Sequence, residues 1–151
     1  MMPHPSMQES ARAIAEVRAI LSDYTFRAVD ERDLEVQVAA VLQSTAHFRV
    51  RREVVGAHGR YDILIEVLGD ETTDPSHGIR LVLELKVSGT AEAAERQAQR
   101  YARDEGIDAV TVVTSSRRLA LEILRGGAYE QLEGVECLGG KPFGVIALRA
   151  L

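Results

Sequence analysis

Apolar and polar positions recur with two different periods along this chain of 151 residues. Over residues 8–21, apolar side chains fall at Ala11, Ile14, Val17, Ile20 and Leu21, the spacing of a helix with one buried face. A second helix is predicted over residues 30–43, with Asp30 as N-cap and Leu34, Val38, Val41 and Leu42 on its apolar side. The period then drops to two. Residues 48–55 read as a strand, and after the turn-like GAHG comes YDILIEV. In that run Ile63, Ile65 and Val67 share one face, and Asp62, Leu64 and Glu66 the other. Beyond a polar loop, LGDETTDPSHG, the run RLVLELKV sets Leu81, Leu83, Leu85 and Val87 against Val82, Glu84 and Lys86.

SGT breaks that strand, and residues 91–106 read as a third helix stopped by Gly106. AVTVVT is a nearly continuous apolar run, as expected of a strand buried on both faces. SSRRLALEIL reads as a helix capped by serine, and the remaining residues as two strands around a GGKP turn. Helices alternating with strands predict an α/β domain, a mixed central sheet flanked by helices. There is no repeat and no dividing linker, so residues 1–151 are expected to form one domain, with residues 1–8 a loose tail.

Composition narrows the function classes. The chain is 46% hydrophobic and 27% charged, as in ordinary globular proteins. No apolar run approaches the ~20 residues that cross a bilayer, and the N-terminus lacks the regions of a signal peptide. The lone Cys137 excludes an internal disulfide and an iron–sulfur cluster. A cytoplasmic protein with no membrane partner is expected. A net charge of −5 argues against gripping long nucleic acid by bulk electrostatics, but a carboxylate cluster that holds a cation adds negative charge of its own. Among the basic residues 16 are Arg and only Lys86 and Lys141 are Lys, so each lysine is informative.

The chemistry concentrates in the two middle strands. Glu84 and Lys86, two apart, share a strand face, and Asp62 lies opposite the apolar residues of the neighbouring run. Two carboxylates there lose hydration and repel each other unless positive charge sits between them. Such oxygen donors suit Mg²⁺ or Mn²⁺. A divalent ion so held can polarise a phosphate oxygen and lower the pKa of a water. A lysine beside it can position that water, where an arginine, which keeps its proton, would be a poor substitute.

GRYD, followed after a polar loop by ELK, resembles the signature of the PD-(D/E)xK nuclease superfamily. Glu35 in DLEVQVAAVL fits the acidic residue that the family carries on the preceding helix. Glu31, one turn earlier on much the same side, is the alternative. QAQRY, residues 97–101, resembles the Q-x-x-x-Y helix of RecB-type and lambda-exonuclease-like members. These elements span residues 35–114. The resemblance implies a restriction-endonuclease-like core and an Mg²⁺- or Mn²⁺-dependent nuclease that hydrolyses phosphodiester bonds, with DNA the expected partner. It also implies that Glu35, Asp62, Glu84 and the backbone carbonyl of Leu85 surround the metal, and that attack leaves a 5′ phosphate. The four residues expected to carry the reaction are Glu35, Asp62, Glu84 and Lys86. One departure stands out: Tyr61 occupies the place of the family's proline.

Gln97 and Tyr101 lie one helical turn apart on the side that carries Ala94, Ala98 and Ala102, so they are candidates to seat substrate or simply boundary residues. Arg96 and Arg100 line up with Arg103 at helical spacing, and Arg60 precedes Asp62. These could track a phosphate backbone, or form a solvated face with Glu92 and Glu95 nearby. Arg49 and Arg51 invite the same two readings, and Glu53 and Glu66 read as structural or as supports behind the candidate metal ligands. Rival functions are a non-catalytic binding or scaffold subunit on the same fold, and a nuclease acting on RNA or branched junctions. One such centre per chain makes a homodimer or a partner subunit the route to cutting two strands.

Overall fold

Each helix starts at a side-chain oxygen supplied by its own sequence. Ser6 caps α1 (Met7–Ser22), Asp30 caps α2 (Glu31–Gln43), Thr90 caps α3 (Ala91–Ala102) and Ser116 caps α4 (Arg117–Gly126). Every cap accepts the backbone N–H three residues on, satisfying a donor the helix cannot. The structure, a computed structural model, describes residues 5–68, 78–127 and 129–151.

Two sequence expectations are corrected. The loose tail ends sooner, because the Ser6–Glu9 capping box draws residues 7 and 8 into α1. The third helix stops at Ala102, well before Gly106: Asp104 Oδ1 accepts the Gly106 N–H at 2.9 Å and turns the chain towards the next strand. The polar loop lies mostly at residues 69–77, outside the described residues.

The strands are β1 (Thr25–Phe26), β2 (Phe48–Gly56), β3 (Gly59–Val67), β4 (Ile79–Lys86), β5 (Ala109–Thr114), β6 (Glu130–Leu132), β7 (Val135–Leu138), β8 (Lys141–Ala147) and β9 (Arg149–Ala150). Seven of them form one mixed sheet in the order β2-β3-β4-β5-β8-β7-β6, and β1 pairs with β9 separately. β4, β5 and β8 run parallel, as crossovers through α3 and α4 require, while β2 and β3 join as an antiparallel hairpin. β5 is buried along its whole length. No helix among the described residues is long and apolar enough to cross a membrane.

Helices cover both faces. Ile14, Val17 and Leu21 of α1 and Leu34, Val38 and Leu42 of α2 pack with Ile63, Ile65, Leu81, Leu83 and Leu85. On the other face Ala94, Ala98 and Tyr101 of α3 and Leu119 and Ile123 of α4 pack with Leu64, Val82, Val110 and Val112.

The hairpin does not keep one face throughout. Val50 packs under α1 and α2, but Val54 packs on the side of α3; Ile63 packs with the first group, but Tyr61 with the second. Between these pairs stand Glu53 and Asp62, the one opposed position that drops out of an otherwise continuous β2–β3 register. Glu53 has φ 55°, the left-handed region that a side chain rarely adopts. The β3–β4 register also ends here, its last rung being Ile63 with Leu83. The sheet therefore opens at Glu53, Asp62 and Glu84, between its two packed faces.

Candidate active site

Asp62 lies in the gap where β3 leaves β4. Its Oδ2 accepts the Leu85 backbone N–H at 2.8 Å, replacing the ladder bond that the missing rung would have made. The Arg80 carbonyl accepts from Asp108 and the Lys86 carbonyl from Ser115, so the even residues of β4 turn their backbone groups towards β5. Leu85, of opposite parity, turns its backbone towards β3 and Asp62. Asp62 also lies against Glu84 across this gap, and the charge of Lys86 acts on both carboxylates.

Glu84 is only 3% exposed. One of its oxygens lies 3.5 Å from Lys86 Nζ, and the other, Oε2, is buried without a hydrogen-bond partner. Burial, and then the negative charge of Asp62, push Glu84 up to about 8, with Lys86 opposing. Burial raises Asp62 too, held back by the Leu85 N–H, Glu84 and Lys86. A carboxylate pair displaced this way is under strain that positive charge relieves.

Of the two helical candidates, the structure brings Glu35 inward: it is 3% exposed, whereas Glu31 is half-buried at the start of α2. Arg52 reaches Glu35 Oε2 at 3.4 Å, leaving Glu35 Oε1 and Arg52 Nε buried and unpartnered. Burial first, then the charges of Glu53 and Asp62, raise Glu35 to about 7 against the pull of Arg52.

Tyr101 stands close to Glu84 and is tied to the start of β3. It is buried, its hydroxyl donates to the Arg60 carbonyl at 2.8 Å, and it accepts from Gln97 Nε2 at 2.7 Å. Its ring meets Tyr61 edge-on, with centroids 4.9 Å apart. The Tyr61 hydroxyl donates to Asp104, and a side chain at Gly56 would collide with the Tyr61 ring. Tyr61, in the place of the family's proline, thus fastens the hairpin to α3. Tyr101 holds the entrance of β3 just ahead of Asp62, and the half-buried Gln97 is the member of the pair with access to solvent.

Arg96 and Arg100 are exposed on α3. Arg60 is exposed and pairs with Glu53 at 3.3 Å. Arg49 and Arg51 both engage Glu66, at 3.5 and 2.8 Å. The sequence pattern assigns Arg52 no role and leaves Glu53 either structural or a support behind the candidate ligands. A signal was present: Arg52 shares strand parity with Phe48 and Val50, so an arginine falls on the helix-covered side, where it needs an anion.

Among the described residues no group of three or more His, Cys, Asp and Glu side chains is arranged to hold a metal ion. Glu35 is engaged by Arg52 rather than gathered with Asp62 and Glu84. The donor chemistry nevertheless fits a hard divalent cation: all donors are oxygens, two buried carboxylate oxygens are orphaned, and burial has raised all three carboxylates. Comparison with known proteins brings no match to a family model, a curated protein or a solved structure.

Proposed function

We propose that the chain is a metal-dependent nuclease with a restriction-endonuclease-like core, hydrolysing phosphodiester bonds in nucleic acid, with DNA as the substrate. The observation that carries this reading is the convergence of Asp62, Glu84 and Lys86 at the one place where the sheet opens, with a buried carboxylate oxygen of Glu84 left without a partner. A structural ion pair on a solvated strand would not bury Glu84 so completely.

Asp62, Glu84 and the Leu85 carbonyl would hold Mg²⁺ or Mn²⁺, with Glu35 joining once released from Arg52. The bound ion supplies Lewis acidity to a phosphate oxygen and lowers the pKa of a water. Lys86, held beside Glu84, positions the attacking water and offsets charge developing on the phosphate. The Leu85 N–H fixes the Asp62 carboxylate, so that group need not reorganise during reaction. Tyr101 positions Arg60 and the start of β3 through the Arg60 carbonyl. Arg96, Gln97 and Arg100 on α3 and Arg60 on the hairpin, none of them fully buried, would contact substrate phosphates. A cytoplasmic location and a second copy or partner subunit for two-strand cutting belong to the same proposal.

The test is cleavage of linear, circular and single-stranded DNA with Mg²⁺, Mn²⁺ or EDTA, beside Asp62→Ala and Lys86→Ala. Cation-dependent cutting lost in both variants is the expected result. Cutting that survives both would overturn the assignment of the site. A second reading, a non-catalytic binding subunit on this fold, is favoured by the Arg52–Glu35 pairing that leaves no ready-made cage. No cutting of DNA, RNA or branched junctions would select it.

A further inference from the structure

A cavity of about 490 Å³ lies between the start of α1, the turn from α3 into β5 and the start of β8. This is the end of the sheet away from Glu84 and Lys86, since β5 enters beside Leu81 and leaves beside Lys86. Its volume is that of a small-molecule site. Lys141, the second of the two lysines, lines it, and the candidate reaction centre makes no use of that lysine.

Two of its walls differ in character. The first turn of α1 supplies donors. Its capping box engages the N–H groups of Ser6 and Glu9, and the Ser10 N–H turns back to the Ser6 carbonyl. The Met7 N–H has no partner among the described residues. A helix start alone does not make a site. Ser10 supplies the second observation: it is only 2% exposed, it lines the cavity, and its hydroxyl makes no hydrogen bond among the described residues. Ser22 and Ser44, by contrast, turn their hydroxyls onto backbone carbonyls one turn back. A buried hydroxyl without such a partner is costly unless something else takes the bond.

The wall formed by the α3–β5 turn is acidic. Lys141 Nζ donates to the Asp104 carbonyl at 2.6 Å and to the Ile107 carbonyl, clamping that turn to β8. Burial lowers the ammonium below its ordinary range, and the charges of Asp108, Asp104 and Glu105 oppose the shift. Three carboxylates thus act on one ammonium, and the wall stays negative. Asp108 already accepts the Arg80 N–H at 2.8 Å, and Asp104 accepts from Tyr61 and Gly106. Glu105 is exposed, and its carboxylate makes no hydrogen bond or ion pair among the described residues. Pro5, Ile107 and Pro142 add apolar surface.

We infer that this cavity binds a small zwitterion, a free amino acid with an apolar side chain. Its carboxylate takes the Met7 N–H and the Ser10 hydroxyl, its ammonium meets Glu105, and its side chain lies against Ile107 and Pro142. A phosphate or other multiply charged anion would be repelled by the acidic wall. A simple amine would leave the Ser10 hydroxyl as it is. The inference stands apart from the metal-dependent reading, because it uses no residue of that site.

The experiment is titration of the full chain, followed by amide proton–nitrogen spectra, with leucine, methionine and phenylalanine. Isocaproate and isoamylamine, which are leucine without its ammonium and without its carboxylate, serve as controls. At least one amino acid should shift the Met7, Ser10 and Lys141 amides saturably, and each control should bind about tenfold or more weakly than leucine. Ser10→Ala and Glu105→Gln should each weaken binding by about tenfold. Ser10→Ala should melt no lower than wild type, since its hydroxyl holds nothing in the fold. No saturable shift with any of the three amino acids overturns the inference, as does affinity unchanged in both variants. Isocaproate or isoamylamine binding as tightly as leucine overturns the zwitterion. A lower melting temperature in Ser10→Ala overturns the binding role of that hydroxyl. None of these outcomes touches the proposed nuclease, which cleavage assays test separately.

Discussion

Asp62 accepts the Leu85 N–H at 2.8 Å across the gap between β3 and β4, so one carboxylate both closes the torn ladder and faces the candidate reaction centre. The two duties separate under mutation. Asp62→Asn keeps an acceptor for Leu85 and removes the charge: cleavage should fall at least on the order of 100-fold, the scale of losing an electrostatic group at the reacting centre, with the melting temperature held or raised. Asp62→Ala should lose cleavage equally and also orphan the amide, which costs about 1–3 kcal/mol. Denaturant melts of both variants check this; equal stabilities would mean that the hydrogen bond contributes nothing.

Stability of the metal-free protein should depend on pH in a direction opposite to ordinary acid denaturation. Glu84 and Glu35 titrate at about 8 and about 7 in the fold, against 4.5 for a free glutamate. An acid whose folded pKa is raised binds its proton more tightly folded than unfolded. The stability it contributes is therefore present below the unfolded value and is lost as pH rises through the folded one. Melting temperature in EDTA should fall between about pH 5 and about pH 8.5, and Glu84→Gln should restore it at the upper end with little effect at the lower. Mn²⁺ affinity should rise over the same interval, because binding must expel those protons. A flat profile in EDTA would contradict the burial argument.

In the proposed nuclease the phenol of Tyr101 acts by holding the Arg60 carbonyl at the start of β3. Tyr101→Phe should cost about 0.5–1.5 kcal/mol and lower kcat while leaving KM for DNA unchanged. Gln97→Ala, at the accessible end of the same pair, should raise KM. A raised KM in Tyr101→Phe would place the phenol against the substrate.

If Arg96 and Arg100 meet phosphates, replacing either with alanine should weaken DNA binding uniformly across sequences. The slope of log affinity against log salt should shallow by about one per residue. An unchanged slope would assign both to a solvated helix face.

Much of this architecture was legible in the sequence because local signals agreed. Asp30, Ser116 and the period-two runs around Ile63 and Leu83 marked their elements, and Ala94, Ala98 and Ala102 marked the packed side of α3. Asp62, Glu84 and Lys86 could be singled out because each interrupts an apolar run. The rest depends on twist. Ile63, Ile65 and Val67 read as one face, and nothing in that alternation announces that Tyr61, of the same parity, packs on the other side of the sheet. For the same reason the inward role of Arg52 and the turned carboxylate of Glu53 stayed hidden, since both follow from where the strand bends and not from its composition. The early end of α3 depends on Asp104, whose turn-forming bond to Gly106 competes with helix continuation.

The bend at Glu53 also bears on how the protein keeps to itself. β2 is an outer strand of the sheet, and an outer strand that is long, flat and apolar recruits the strands of other molecules. Here the flat run is interrupted midway, and Arg49 and Arg51 charge the exposed side of the stretch before it. A sequence that straightened this strand and neutralised it would relieve local strain and expose a continuous template for aggregation. The contortion at Glu53 thus doubles as protection for solubility.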